Sequence, residues 1–243
     1  MKYLLKFSYD GSNFNGFQRQ PNKRTIQDEL EKALKEVNDG VDAKLVATGR
    51  TDKGVHAISQ YAHCIINVDI TEYKLKRALN SKLPDDIHII SAKTVDKDFN
   101  ARYMVKEKTY KYLINLGEYN PIERNYIYQY NYKLDVDKMK EVIKLFEGEH
   151  DFRAFVTENK EKENCIRTIF KTSIKEKDDI LEIKFTGNGF LKYQVRNMVG
   201  ILIRVGEGKL DKKEVEEILK SKDRTKSGKT APAKGLYLVD VKY

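Results

Sequence analysis

The order of hydrophobic patterns along the chain constrains the possible folds more than any other feature. Residues 3–9 alternate apolar and polar side chains, the period-two pattern of a strand buried on one face. Thr25 precedes apolar residues at helical spacing and predicts a helix start, with Asp28 completing a variant capping box. This helix should end at 38–40, an Asn-Asp-Gly sequence. Further strands are predicted at 44–48, 58–67 and 87–95, and a shorter helix at 73–83.

The second half of the chain repeats this order of elements without repeating the sequence. Strands are predicted at 108–116, 166–174, 180–185 and 236–241, the middle two as an antiparallel pair. Helices are predicted at 136–146, 193–205 and 212–219. We therefore predict an α+β chain of two ferredoxin/RRM-like halves, with strands facing one way and helices the other. The predicted domains are residues 1–104 and 105–243, with a hinge at 102–108.

The composition favours a polyanionic partner and a reducing compartment. Lysine and arginine total 46 against 37 for aspartate and glutamate, a net charge of +9 that favours nucleic acid without identifying it. The two cysteines, Cys64 and Cys165, exclude a disulfide framework and a CxxC metal site. The histidines lack metal-ligand spacing, and no apolar stretch is long enough to span a membrane. We expect a cytoplasmic protein with no metal and no membrane segment.

A glycine-bounded loop with the sequence GRTDKGVHA, residues 49–57, lies between two predicted strands. It places Asp52 at a loop tip between Arg50 and Lys53. Two neighbouring cations favour the ionised form of a carboxylate, and an ionised carboxylate on a rigid loop is able to act as a nucleophile or a base. The alternative is an ordinary turn aspartate with solvated neighbours, because structural ion pairs also perturb pKa values.

The loop sequence resembles the catalytic loop of the tRNA pseudouridine synthases that act on the anticodon stem-loop, in which this aspartate is catalytic. The resemblance covers nearly the whole chain. Other matching segments are 9–11, 16–21, 25–31, 108–112, 189–191, 195–200 and 231–236. Phe17 departs from the family, which often has tryptophan there, but an aromatic face is kept. The resemblance implies two α+β halves that share a central, mainly antiparallel sheet with helices on one face.

The resemblance also implies an activity, a partner and an assembly. The chain would be an isomerase that converts uridine to pseudouridine at tRNA positions 38, 39 and 40, in a homodimer with one tRNA contacting both subunits. The reaction breaks the N1–C1′ bond and rejoins the base through C5, so no cofactor is expected. The sequence does not choose between attack of Asp52 on C1′, attack on C6 and removal of the 2′ proton.

Tyr110 and Arg196, in the C-terminal domain, are the other catalytic candidates. The resemblance makes Tyr110 the ring on which a flipped uracil stacks, worth about 1–3 kcal/mol; the alternative is a core tyrosine, the role expected of Tyr112. Arg196 lies in an apolar helix pattern and needs an anionic partner. We predict that this partner is Asp52, with another core carboxylate as the alternative. Arg50 would fill the gap left by the flipped base, or pair with Asp52 itself.

Further substrate contacts are predicted beside the loop and near the C-terminus. Gln18, in one of the matching segments, and Lys53, in the Asp52 loop, would contact the RNA. Lys226 and Lys229 belong to residues 220–234, which hold six basic residues and one acidic residue. This basic segment would contact phosphate groups, or else remain a solvated loop.

The sequence SGKT at 227–230 is similar to the end of a phosphate-binding P-loop. A P-loop requires a glycine five positions before Gly228, and this chain has Asp223 there. Pro232 also follows where the motif needs a helix. We therefore expect no nucleotide cofactor.

Two other classes of function remain open. A non-catalytic RNA-binding protein with two RRM-like sheets would explain the charge and the aromatic residues, although its RNP sequence strings are absent. A glycoside hydrolase would need two carboxylates, and the Asp52 loop offers one. A carbodiimide-reactive product formed from uridine-containing tRNA separates the three classes.

Overall fold

The computed structural model describes residues 1–156 and 164–243, and the chain folds into two compact units. The first comprises Met1–Lys106 with Tyr237–Tyr243, and the second comprises Glu107–Leu236. Both units combine helices with mainly antiparallel strands, which confirms the predicted α+β class. The domain limits at 104 and 105 stay a prediction. The compact units differ from them in the last strand, which belongs to the first unit.

The first unit has a ferredoxin-like strand order. Its elements are β1 (Lys2–Tyr9), α1 (Ile26–Val37), β2 (Val46–Ala47), β3 (His56–Ile65), α2 (Glu72–Asn80), β4 (Ile87–Thr94) and, at the end of the chain, β10 (Leu236–Lys242). Strand β1 pairs antiparallel with β3 and β4, and β2 pairs antiparallel with β3. Strand β10 runs parallel to β3. Alternate residues of β1 are buried, as its period-two pattern predicts.

Helix α1 shows why the sequence identified its ends correctly. The Thr25 hydroxyl accepts a hydrogen bond from the Asp28 N–H over 3.4 Å, which satisfies one of the unpaired amides of the first turn. The helix ends at Asn38, and Asp39 and Gly40 follow with φ values of 52° and 82°. Left-handed residues of this kind terminate helices, because they turn the chain away from the helical path.

The second unit has the strand order β5-β9-β8-β7 with antiparallel neighbours. Its elements are β5 (Glu107–Asn115), β6 (Tyr128–Gln129), α3 (Val136–Val142), β7 (Gly148–Asp151), β8 (Ile166–Lys177), β9 (Ile180–Gly187), α4 (Gln194–Gly206) and α5 (Lys212–Ser221). The predicted antiparallel pair is confirmed as the β8–β9 hairpin. It turns through Asp178 and Asp179, whose φ values of 50° and 63° suit a tight turn between twisted strands.

Three details differ from the sequence prediction. The strand expected at 44–48 contains only the two residues of β2, and the helix expected at 136–146 changes after α3 into a 3₁₀ turn at Ile143–Phe146. The short strands β6 and β7 were not predicted. Each is defined by its pairing with a neighbouring strand, β5 or β8, and has too few residues to carry a readable period.

Candidate active site

The loop that carries Asp52 joins β2 to β3 in the first unit. Asp52 is half-buried, whereas Arg50 and Lys53 on either side are exposed. The Asp52 carbonyl accepts a hydrogen bond from the Val55 N–H over 3.2 Å, and Gly54 has a φ of 76°. The aspartate therefore lies in a tight turn that leads directly into β3, with two cationic side chains in solvent beside it.

Two glycines of the segment after β1 lie against the backbone of this loop. A Cβ atom on Gly16, which has a φ of +93°, would be 3.1 Å from the Thr51 carbonyl oxygen and 3.2 Å from the Lys53 nitrogen. A Cβ atom on Gly11 would be 2.0 Å from the Val55 carbonyl oxygen. Only glycine permits such close approach of two backbones. The N-terminal segment therefore fixes the position of the Asp52 loop.

Buried polar side chains also hold the same loop through hydrogen bonds. The hydroxyls of Tyr9 and Thr51 share a hydrogen bond of 2.7 Å, and Gln60 Nε2 donates to the Gly49 carbonyl over 3.2 Å. All three side chains belong to buried residues. Sequence reasoning assigned no role to them, although Thr51 lies inside the loop motif and Tyr9 begins another of the matching segments.

His56, at the start of β3, has a structural environment. It is buried and stacks on Tyr237 of β10, with ring centroids 4.7 Å apart. Its Nδ1 accepts a hydrogen bond from the Gly11 N–H over 3.1 Å, and a protonated ring would instead donate to Asp10 Oδ1, also 3.1 Å away. The ring thus ties the loop exit to the N-terminal segment and to the last strand.

Gln18 lies next to the Asp52 loop, and its contact with RNA stays a prediction. The preceding residue, Phe17, donates its N–H to the Thr51 carbonyl over 3.0 Å, and the Gln18 side chain is exposed. The first unit therefore brings together four of the predicted site residues: Gln18, Arg50, Asp52 and Lys53.

Tyr110 lies on β5 in the second unit and is almost fully buried. Its ring meets Phe190 edge to face, with centroids 5.2 Å apart. Tyr112, two residues further on the same strand face, is fully buried and donates its hydroxyl to the Pro232 carbonyl over 2.7 Å. Burial raises the pKa of Tyr112 well above its usual value. Tyr112 is thus the packing residue that was predicted, while the stacking role of Tyr110 stays a prediction.

Arg196 lies in the first turn of α4 and is half-buried. Its Nε donates to the Ala231 carbonyl over 2.8 Å, and its guanidinium carbon lies 5.1 Å from the centre of the Tyr193 ring. Tyr193 precedes the helix with a φ of 63°. These contacts fix the side chain of Arg196 within the second unit, and its pairing with Asp52 stays a prediction.

The basic segment that carries Lys226 and Lys229 is held in place by α4. The Asn197 side-chain oxygen accepts hydrogen bonds from Arg224 Nη2 over 3.1 Å and from the Thr230 hydroxyl over 2.7 Å. Lys226 and Lys229 are both exposed. Their RNA contacts stay a prediction.

The structure also bears on three other features: a P-loop, a metal site and a membrane-spanning helix. The SGKT sequence continues into a 3₁₀ turn, Ala233–Gly235, and its threonine is bonded to Asn197, so it does not form a P-loop. In the part of the chain that the structure describes, no group of three His, Cys, Asp or Glu side chains is placed to hold a metal ion. No helix there is long and apolar enough to cross a membrane.

Comparison with known proteins assigns the family. The sequence profile of a tRNA pseudouridine synthase family matches residues 7–104 and 142–243. A tRNA pseudouridine synthase A from Streptococcus mutans serotype c is 43% identical over 100% of this chain and 99% of its own length. One from a Thermoanaerobacter species is 44% identical over 99% of this chain and 98% of its own length.

The chain therefore belongs to the tRNA pseudouridine synthase family, whose members are isomerases that act on tRNA. Among solved structures, a Cbf5-Nop10-Gar1 complex aligns with 82% of this chain and 54% of its own chain, at 14% identity and a TM-score of 0.37. That likeness is too weak to carry an argument about the site.

Proposed function

We propose that this chain isomerises uridine to pseudouridine at positions 38, 39 and 40 of the tRNA anticodon stem-loop, with Asp52 as the catalytic nucleophile or base. One observation carries the role of Asp52. The loop is held against the Gly16 backbone and by the Tyr9–Thr51 hydrogen bond, which leaves the half-buried carboxylate in a fixed position beside solvent. Fixed placement of a reactive group is the main requirement of a reaction with no cofactor.

The chemistry requires only substrate atoms and one carboxylate. The N1–C1′ bond breaks, the uracil rotates and a C5–C1′ bond forms. C5 loses its proton and N1 gains one, so the product is an isomer of the substrate. Asp52 attacks C1′, attacks C6 or removes the 2′ proton. Because the target base is stacked in the anticodon stem-loop, it must first be flipped out, at a cost of a few kcal/mol.

Tyr110 and Arg196 complete the proposed catalytic group. The Tyr110 ring would support the flipped uracil on one face, while Phe190 supports the ring edge to face. Arg196 would orient Asp52 and keep it ionised, since its Nε is already fixed on Ala231. Arg50, exposed beside Asp52, would occupy the space that the flipped base leaves in the RNA.

The RNA would be held by charge over a wide surface. The net charge of +9 and the exposed lysines at 53, 226 and 229 support phosphate contacts, with Gln18 nearer the target base. We further propose that the protein acts in the cytoplasm as a homodimer in which one tRNA contacts both subunits. The size of the purified protein, measured by light scattering, tests the dimer directly.

The proposal is tested with an unmodified tRNA transcript that has uridine at positions 38, 39 and 40. The protein should generate carbodiimide-reactive residues at those positions, without any added cofactor. A transcript with cytidine at the three positions is the control. Tight binding of both transcripts with no reactive product would instead favour the non-catalytic RNA-binding protein.

A further inference from the structure

Tyr9 is the last residue of β1 and lies directly beneath the Asp52 loop. The residue is 5% exposed, and its ring packs against both Phe7 and Phe17, with centroid distances of 6.2 and 6.5 Å. Its hydroxyl reaches Thr51 Oγ1 over 2.7 Å, and Thr51 is itself 8% exposed. Water is therefore excluded from a hydrogen bond that ends one residue before Asp52.

The hydroxyl of Tyr9 remains protonated over the working pH range. Burial raises the pKa of Tyr9 above its usual value, and hydrogen bonds with Thr51 and Gln60 offset only part of that effect. The phenol is thus a neutral group that donates to Thr51 Oγ1 or accepts from it. Gln60 also donates to the Gly49 carbonyl, so the same buried cluster holds the backbone on both sides of Arg50.

Thr51 is held at two points, which makes it the anchor of the loop. Its carbonyl accepts the Phe17 N–H over 3.0 Å, and its side chain binds Tyr9. The Cα atom of Asp52, which carries the carboxylate side chain, is about 3.8 Å from the Cα atom of Thr51. A small rotation of Thr51 would therefore displace the carboxylate directly.

We propose that Tyr9 is a positioning residue for catalysis: its hydroxyl fixes Thr51, and Thr51 fixes the carboxylate of Asp52. This inference rests on the proposed catalytic role of Asp52. A displacement of about 1 Å at a reacting group costs on the order of 100-fold in rate. Loss of the buried Tyr9 hydroxyl should therefore lower the rate of the chemical step more than it weakens RNA binding.

Tyr3 provides a matched control on the same strand. It is fully buried, burial raises its pKa, and its hydroxyl donates to the Ile70 carbonyl. Tyr3→Phe and Tyr9→Phe each remove one buried hydroxyl from β1. Only the Tyr9 substitution removes a contact to the Asp52 loop.

The experiment measures single-turnover rates and dissociation constants for the unmodified tRNA transcript. Tyr9→Phe should lower the rate on the order of 10-fold and leave the dissociation constant within about twofold, whereas Tyr3→Phe should change neither. Thr51→Val should produce the same loss, and Thr51→Ser should recover most of it. The double variant Tyr9→Phe/Thr51→Val should lose no more than either single variant, because both remove the same hydrogen bond.

Equal rates for Tyr9→Phe and Tyr3→Phe, in folded proteins, would overturn the positioning role. Should Tyr9→Phe fail to fold, the comparison of Thr51→Val with Thr51→Ser decides in its place, and equal rates for those two would overturn it. Asp52→Asn separates this failure from failure of the proposed function. An inactive Asp52→Asn beside an unimpaired Tyr9→Phe rejects the role of Tyr9 alone, and an active Asp52→Asn rejects the catalytic role of Asp52.

Discussion

Arg196 and Ala231 are joined by two hydrogen bonds in opposite directions. Arg196 Nε donates to the Ala231 carbonyl over 2.8 Å, and the Ala231 N–H donates to the Arg196 carbonyl over 3.1 Å. The start of α4 is thereby fixed to the segment that follows the basic loop. Because Nε is used in this way, a carboxylate partner would be bound through the two terminal nitrogens of the guanidinium.

Replacement of Arg196 by lysine tests this arrangement. Lysine keeps the charge but lacks both the Nε donor and the planar fork. We expect the acid limb of the pH–rate profile to move to higher pH, because in the proposed arrangement the ionised carboxylate of Asp52 would lose a partner that favours its charged form. Arg124→Lys is the control, since exposed Arg124 also donates to a carbonyl, that of Pro121. An unmoved acid limb in folded Arg196→Lys would leave Arg50 as the next candidate.

Gly16→Ala tests whether the N-terminal segment positions the catalytic loop. A Cβ atom there would lie 3.1–3.4 Å from the backbone of residues 51–53, so the loop must shift. Gly40 is the matched control, because it has a similar positive φ of +82° with nothing within 4 Å of a Cβ atom. Both variants should lose about 1 kcal/mol of stability from the left-handed backbone. Only Gly16→Ala should also lose catalytic rate, and equal rates would contradict the account.

The ring of Tyr110 should matter more than its hydroxyl for base stacking. Tyr110→Leu should lose activity on the order of 10-fold or more, because about 1–3 kcal/mol of stacking is lost. Tyr110→Phe keeps the ring and its contact with Phe190 and should retain most of the rate. A Phe variant that stalls after the glycosidic bond has rearranged would assign the hydroxyl to removal of the C5 proton. Tyr112→Phe, which loses only a bond to Pro232, controls for stability.

Charge reversal in the basic segment tests its contact with RNA. The double variant Lys226→Glu/Lys229→Glu should flatten the dependence of log K on log salt by about one to two units, since each lost phosphate contact removes nearly one released counterion. The control is Lys175→Glu/Lys177→Glu in the β8–β9 hairpin, which changes the net charge equally at exposed positions. Identical slopes for the two variants would assign the effect to net charge alone.

Much of the fold was readable from the sequence because it depends on local periodicity. The alternation of β1 and the Thr25 cap of α1 are properties of adjacent residues, and both were predicted correctly. The strands β6 and β7 were missed because they are too short to show a period. The return of β10 to the first unit has another origin, because its pairing with β3 crosses more than half of the sequence.

The candidate site also has features that the sequence could predict and features that it could not. The motif made Asp52 a candidate because its cations and glycines are its neighbours in sequence, and its catalytic role stays a prediction. The bond between Tyr9 and Thr51 joins residues 42 positions apart, and the approach of Gly16 to the loop is a matter of backbone shape. Neither leaves a periodic signal, so only the three-dimensional structure identified the groups that hold the Asp52 loop.

The single-turnover rate of Asp52→Asn on the unmodified transcript tests whether the Asp52 carboxylate performs the isomerisation. Asparagine is nearly isosteric but is neither a nucleophile nor a base. The control is Asp178→Asn in the β8–β9 turn, where the side chain is 85% exposed and asparagine also tolerates a positive φ. We predict a loss of at least about 100-fold for Asp52→Asn alone, with tRNA affinity within a few-fold of wild type. Turnover above roughly a tenth of the wild-type rate would contradict the account.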